Sequence, residues 1–167
     1  MWHHAGMTLE VRPAQVSDAA GMADVHVRTW RHAYRGLMPQ DVLDGLDVAA
    51  RTTRWERILS SGGRGANWVA VEDGSVIGFA SAGPARDDDA PRERELWALY
   101  LAPERHGSGA AQPLIDAAIG ADPAYLYVLR GNARAIRFYE KQGFRADGDV
   151  KRDDRGVVVL EDLRMVR

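Results

Sequence analysis

Residues 95–120 read ELWALYLAPERHGSGAAQPLIDAAIG, and the fold turns on them. Leu96 to Leu101 is an apolar run of strand length. After a short polar break come Gly107 and Gly109, and then Ala111, Leu114, Ile115, Ala118 and Ile119 recur at the spacing of an amphipathic helix. A strand that delivers a glycine turn to the start of a helix makes an anion site. Backbone N–H groups and the positive end of the helix dipole converge there, and glycine lets a ligand come close. The nucleotide-hydrolysing pattern G-x-x-x-x-G-K-[ST] is absent, because its lysine and hydroxyl residue are missing. The dinucleotide pattern G-x-G-x-x-G fails as well, since Gln112 stands at its third glycine. A phosphate-bearing ligand that needs neither metal nor lysine remains, beside the plain reading of a strand–helix turn. Pro113 suits the first helical turn, where a missing N–H costs least.

Outward from this unit the elements alternate. Upstream, Leu9 to Arg12 is a short strand closed by Pro13, and Ser17 is expected to cap a helix whose stripe holds Met22, Val25, His26, Thr29, Trp30 and Ala33. His26 is expected to be a satisfied core-edge histidine. Residues 35–39 break that helix, a short turn continues from Asp41 to Leu46, and a further helix spans Val48 to Ser60 with Trp55, Ile58 and Leu59 inward. Asn67–Glu72 and Ser75–Ala82 form a hairpin through Asp73-Gly74. The loop from Gly83 to Arg94 carries Asp87, Asp88 and Asp89, read as a solvated face or, less simply, as a lure for a cation. Downstream lie a strand from Ala124 to Leu129 and a helix from Asn132 to Gln142 with Gly143 at its C′ position. The last strands are Phe144–Val150 and Val157–Met165. The order β-α-α-β-β-β-α-β-α-β-β predicts an α+β fold with a mixed sheet.

At 167 residues the chain suits one domain, over residues 9–167, behind a flexible lead-in of residues 1–8. His3 and His4 belong to that lead-in. With no cysteine there is no thiol nucleophile, disulfide or thiolate metal site. A net charge of −2 gives no pull toward nucleic acid or an anionic membrane. No apolar run approaches the roughly 18 residues of a membrane span. A cytoplasmic protein is expected, with neither nucleic acid nor membrane as partner.

Asn132 and Tyr139 stand seven residues apart, so they share one face of their helix. Asn132 can cap that helix or touch a ligand, and Tyr139 offers a phenol beside the glycine unit. Together, LYLAPERHGSGAA at 99–111, NARAIRFYEKQGF at 132–144 and RPAQVSDAAGMADVHVRTWRHAYRGL at 12–37 resemble the Gcn5-related N-acetyltransferase (GNAT) superfamily over nearly the whole chain. The resemblance implies a mostly antiparallel sheet of about seven strands with about four helices, and acetyl-CoA between two central parallel strands. It places His106, Gly107, Ser108, Gly109, Ala110 and Ala111 in the pyrophosphate loop, with His106 where glutamine or arginine is usual. It sets Leu99 and Leu101 along the pantetheine arm, with the Leu101 N–H as donor to the thioester carbonyl. Asn132 then contacts CoA and Tyr139 faces the sulfur as general acid.

The activity implied by that resemblance is direct acetyl transfer from acetyl-CoA, without metal, to a primary amine of a small molecule or of a protein. The alternatives are a non-catalytic acyl-CoA-binding or sensor module on the same fold, and a purely structural domain. A carboxylate is wanted to take the amine's proton, and Glu95, at the start of the motif strand, is the candidate beside its reading as an exposed strand-start residue. Strand alternation would point Glu95, Trp97, Leu99 and Leu101 one way. Trp97 then walls the acceptor site, with Trp30 and Tyr34 opposite. A homodimer is in keeping with the resemblance.

Overall fold

The computed structural model describes residues 8–154, 156 and 158–167. Most of the expected lead-in, with His3 and His4, lies outside the described residues, as does residue 157, where the last strand was expected to begin.

Seven strands and five α-helices follow one another along the described residues. β1 (Leu9–Pro13) leads through a 3₁₀ turn into α1 (Ala19–Ala33), α2 (Gln40–Asp44) and α3 (Val48–Ser60). β2 (Ala66–Glu72) and β3 (Ser75–Pro84) are the hairpin, with Asp73 and Gly74 at φ 48° and 79°, the left-handed pair that suits the strands' twist. β4 (Arg94–Leu101), α4 (Ala111–Ala118), β5 (Tyr125–Leu129) and α5 (Ala133–Lys141) come next, and β6 (Arg145–Asp154) and β7 (Val159–Val166) finish the sheet. The fifth helix beyond the four expected is the short α2. Ser17 does not cap α1; it lies inside the 3₁₀ turn. The polar work at that corner falls to buried Asp18, which accepts the Gln15 N–H at 2.7 Å and pairs with Arg12.

The sheet order is β1-β2-β3-β4-β5-β7-β6. Neighbours run antiparallel except β4 and β5, which are parallel and pair at one point, Glu95 with Tyr125. Beyond that point the two strands diverge and leave a gap in the middle of the sheet. Alternation along β4 decides what faces the gap. Ala102 donates its N–H to the Ile77 carbonyl at 2.7 Å, so the residues bonded toward β3 are Ala102, Tyr100 and Ala98. The peptide groups of Leu99 and Leu101 therefore turn toward β5 and into the gap.

A bulge corrects the expected facing of β4. Ala82 pairs with Leu96 while Ser81 pairs with Ala98, so Trp97 is the extra residue. Leu96 consequently shares a face with Leu99 and Leu101, and Glu95 does not. On that face α4 and α5 cover a core of Leu96, Leu114, Ile115, Leu126, Phe144 and Met165. On the other, α1 and α3 pack Met22, Val25 and Trp55 against Val69 and Phe79. Ile58, expected inward, is 37% exposed. Each fully buried Leu or Phe contributes roughly 1.5–3 kcal/mol, so both layers hold the sheet. No described helix is long and apolar enough to cross a membrane.

Candidate active site

A cleft of about 730 Å³ passes through the gap between β4 and β5 and touches both faces of the sheet. Its α4/α5 side is lined by Leu99, Leu101, His106, Gly107, Gly109 and Ala111, then by Asn132 and Tyr139. Its α1 side is lined by Trp30, Tyr34, Trp97 and Tyr100. The structure thus brings into one space most of the side chains singled out above. Ser108 and Ala110 do not line it: Ser108 is exposed and Ala110 is 2% exposed, in the core.

The glycine loop is built for a close ligand. Gly107 and Gly109 have φ of 79° and 87°, conformations an L side chain resists, and a Cβ on either would meet only open space. Ser108 N–H bonds to Arg105 C=O and Gln112 N–H to Gly109 C=O. Ala110 N–H reaches Ser108 Oγ at 3.3 Å. Among the described residues the N–H groups of Gly107, Gly109 and Ala111 have no hydrogen-bond partner, and they sit at the start of α4, where the helix dipole is positive. The backbone fits an anion such as the CoA pyrophosphate. Arg105 turns away and pairs with Glu72. His106 Nε2 lies 3.1 Å from the Leu101 carbonyl, and burial first, then Arg134, pushes its pKa down. As a neutral ring donating from Nε2 it ties the loop to the strand edge that faces the gap.

α5 forms the opposite wall. Asn132 caps it, its side chain accepting the Ala135 N–H at 3.2 Å, and it also borders the cleft. Tyr139 packs between Phe138 and Phe144 and is 8% exposed. Burial first, and then the neighbouring Tyr100, raises its pKa, so the phenol keeps its proton. Its hydroxyl makes no hydrogen bond among the described residues. Reciprocal amide bonds between Gln112 and Gln142, at 3.0 and 2.6 Å, clamp α4 to α5 beside it.

The α1 side is aromatic and polar. Trp30 stacks near Tyr34 at 4.8 Å and its Nε1 reaches Tyr100 Oη at 3.4 Å. Trp97 lies over Gly65 and Gly83, which have no room for a Cβ beneath it, and carries Arg86 5.1 Å above its ring. Glu95 sits elsewhere. It is 1% exposed and does not line the cleft, and its carboxylate accepts from the Arg86 guanidinium at 2.8 Å, the Arg86 N–H at 3.1 Å and Tyr125 Oη at 3.2 Å. This geometry gives it a structural task at the join of the two strands and sets its carboxylate outside the cleft. His26 is half satisfied: among the described residues Nδ1 is buried without a partner, Nε2 accepts from the Arg51 guanidinium at 3.4 Å, and burial drives its pKa down to about 3. The acid cluster is engaged too, Asp87 by Tyr125 and Lys151 and Asp89 by Arg164.

Sequence reasoning missed Tyr100, Arg86, Tyr127, Lys151, Asp153 and Asp162, all of which line the cleft. Tyr100 alternates with Leu99 and Leu101 and could have been found. Arg86 comes from the loop between β3 and β4 and Tyr127 from β5. Lys151, Asp153 and Asp162 depend on β7 being inserted between β5 and β6, which no local pattern announces. Among the described residues there is no cluster of three or more His, Cys, Asp or Glu suited to a metal ion.

The Acetyltransferase (GNAT) family matches residues 25–144 of the chain. The uncharacterized N-acetyltransferase YuaI of Bacillus subtilis is 33% identical over 136 residues, 78% of this chain and 76% of that protein. PaiA N-acetyltransferase of Thermoplasma acidophilum, solved in complex with coenzyme A, has the same fold. Its TM-score is 0.66 at 20% identity, covering 93% of this chain and 98% of its own. YncA of Salmonella typhimurium, solved with its cofactor acetyl-CoA, gives 0.68 at 22% identity, over 96% and 93%.

Proposed function

The chain belongs to the GNAT acetyltransferase family, and on that basis we propose that it transfers the acetyl group of acetyl-CoA directly to a primary amine of a small molecule or a peptide. One observation carries the reading. The ligand-facing peptide edge of Leu99 and Leu101, the unpaired N–H groups of the glycine loop and a buried, protonated Tyr139 border a single cleft. Solved relatives of the fold hold CoA or acetyl-CoA, which supports the choice of donor.

Each part has a chemical task. Gly107, Gly109 and Ala111 hold the pyrophosphate, with His106 fixing the loop to β4 and Asn132 bordering the arm. The N–H of Leu101 polarises the thioester carbonyl and stabilises the oxyanion. A neutral amine enters from the side of Trp30, Tyr34 and Trp97 and attacks the carbonyl carbon. As the C–S bond breaks, Tyr139 gives its proton to the sulfur. The chain has no cysteine to carry the acetyl group, which agrees with both substrates being bound together.

The test is a screen of amines for CoA release by purified protein, read with a thiol reagent. Release that requires an amine, with a matching acetylated product by mass spectrometry, is expected. Stabilisation by acetyl-CoA with no release from any amine would instead leave a binding module.

A further inference from the structure

We propose that Asp162 binds the ammonium of the acceptor and takes the proton that the amine must lose; this rests on the acetyltransferase reading above. Direct transfer needs a proton acceptor on the amine's side of the thioester. Glu95 is buried and clamped by Arg86 and Tyr125, outside the cleft. His26 does not line the cleft either. Asp162 and Asp153 are the carboxylates among the described residues that do.

Position separates these two. Asp162 lies on β7 directly opposite Leu129, the last residue of β5, and opposite Lys151 of β6. Asp153 pairs with Leu160, which has no partner on β5, so it stands past the end of that strand. Leu163 and Met165 belong to the α4/α5 core, so alternation puts Asp162 on the other face, with Leu160 and Arg164. That is the face of Trp30, Tyr34 and Tyr100, where the amine enters. Asp162, Tyr100 and Tyr139 all line the one cleft. Around Asp162 stand Lys151 and Asp153 from β6, Tyr127 from β5, Tyr100 from β4 and Arg164 on its own strand.

The step balances without another reactant. The ammonium gives one proton to the Asp162 carboxylate and becomes a nucleophile. Its nitrogen bonds to the acetyl carbon, the C–S bond breaks, and the sulfur takes the Tyr139 proton. The second nitrogen proton returns to the Tyr139 oxygen, and Asp162 releases its own to solvent.

The experiment compares wild type with D162N and D162E, using the best amine from the screen. D162N is expected to lower kcat/KM for the amine on the order of 10²-fold or more. Its acetyl-CoA affinity by calorimetry should stay at the wild-type value, which also shows that the variant folds. D162E should recover part of the loss. D162N with kcat/KM for the amine within about threefold of wild type overturns the assignment while the acetyltransferase reading stands. D162N that loses acetyl-CoA affinity, with D162E no better, overturns it in favour of a structural role. A wild-type protein that acetylates no amine removes both readings.

Discussion

Tyr139 and His26 are both aromatic groups whose titration burial has displaced, and the displacement suits different ends. Tyr139 has its pKa raised by desolvation, so at neutral pH its phenol keeps its proton. Tyr139→Phe should lower kcat on the order of 10²-fold or more, typical of a lost general acid, and leave acetyl-CoA binding intact by calorimetry. Unchanged turnover would take Tyr139 out of the chemistry. His26 sits among Trp30, Trp55, Phe79 and Tyr100, with Arg51 and Arg54 opposing any charge on it. Its folded pKa of about 3 lies below the ordinary 6.5. Between those values the unfolded chain binds the proton and the folded one does not. Stability should therefore fall as pH drops from about 6.5 toward about 3, at up to ~1.4 kcal/mol per pH unit from this group. His26→Phe should flatten that part of a urea-unfolding series taken against pH; an equal slope in both proteins would refute it.

At the level of elements, the β4–loop–α4 unit sets two glycines where φ is positive and where nothing among the described residues fills the space above them. Gly109→Val would place a branched side chain in that space and in a backbone conformation costing roughly 1–3 kcal/mol. Calorimetry should find acetyl-CoA affinity reduced about tenfold or more. Equal affinity would mean that the loop is only a turn. The second wall, α5, is set by its cap at Asn132, and the Gln112–Gln142 clamp fixes the two helices to each other. Neither clamp residue stands out in the sequence, because the contact spans thirty positions of chain.

For the whole molecule the deciding feature is a sheet that almost comes apart in its centre. Its halves are joined by the single pairing of Glu95 with Tyr125, and the side chains of that pair repeat the join through a hydrogen bond, braced by Arg86 and Asp87. Glu95→Gln removes the charge that Arg86 and Tyr125 address. A loss of about 1–3 kcal/mol is expected, or a Tm lower by roughly 2–10 °C for a domain of this size. Turnover per folded molecule should persist. A collapse of kcat with an unchanged Tm would return Glu95 to the chemistry.

Local sequence was enough for the elements, the glycine loop, the face shared by Asn132 and Tyr139 and, through resemblance, the family, because hydrophobic period, turn residues and motif spacing are local properties of a chain. The facing of Glu95 and Trp97 was not local: one extra residue, set by pairing with β3, inverted the alternation. Asp162 came to the site only because β7 lies between β5 and β6. The α4/α5 side of the cleft is made of one chain segment and its neighbour, so it could be read in line. The α1 side is assembled from α1, β4, β6 and β7, and only their packing across the sheet decides which side chains meet there.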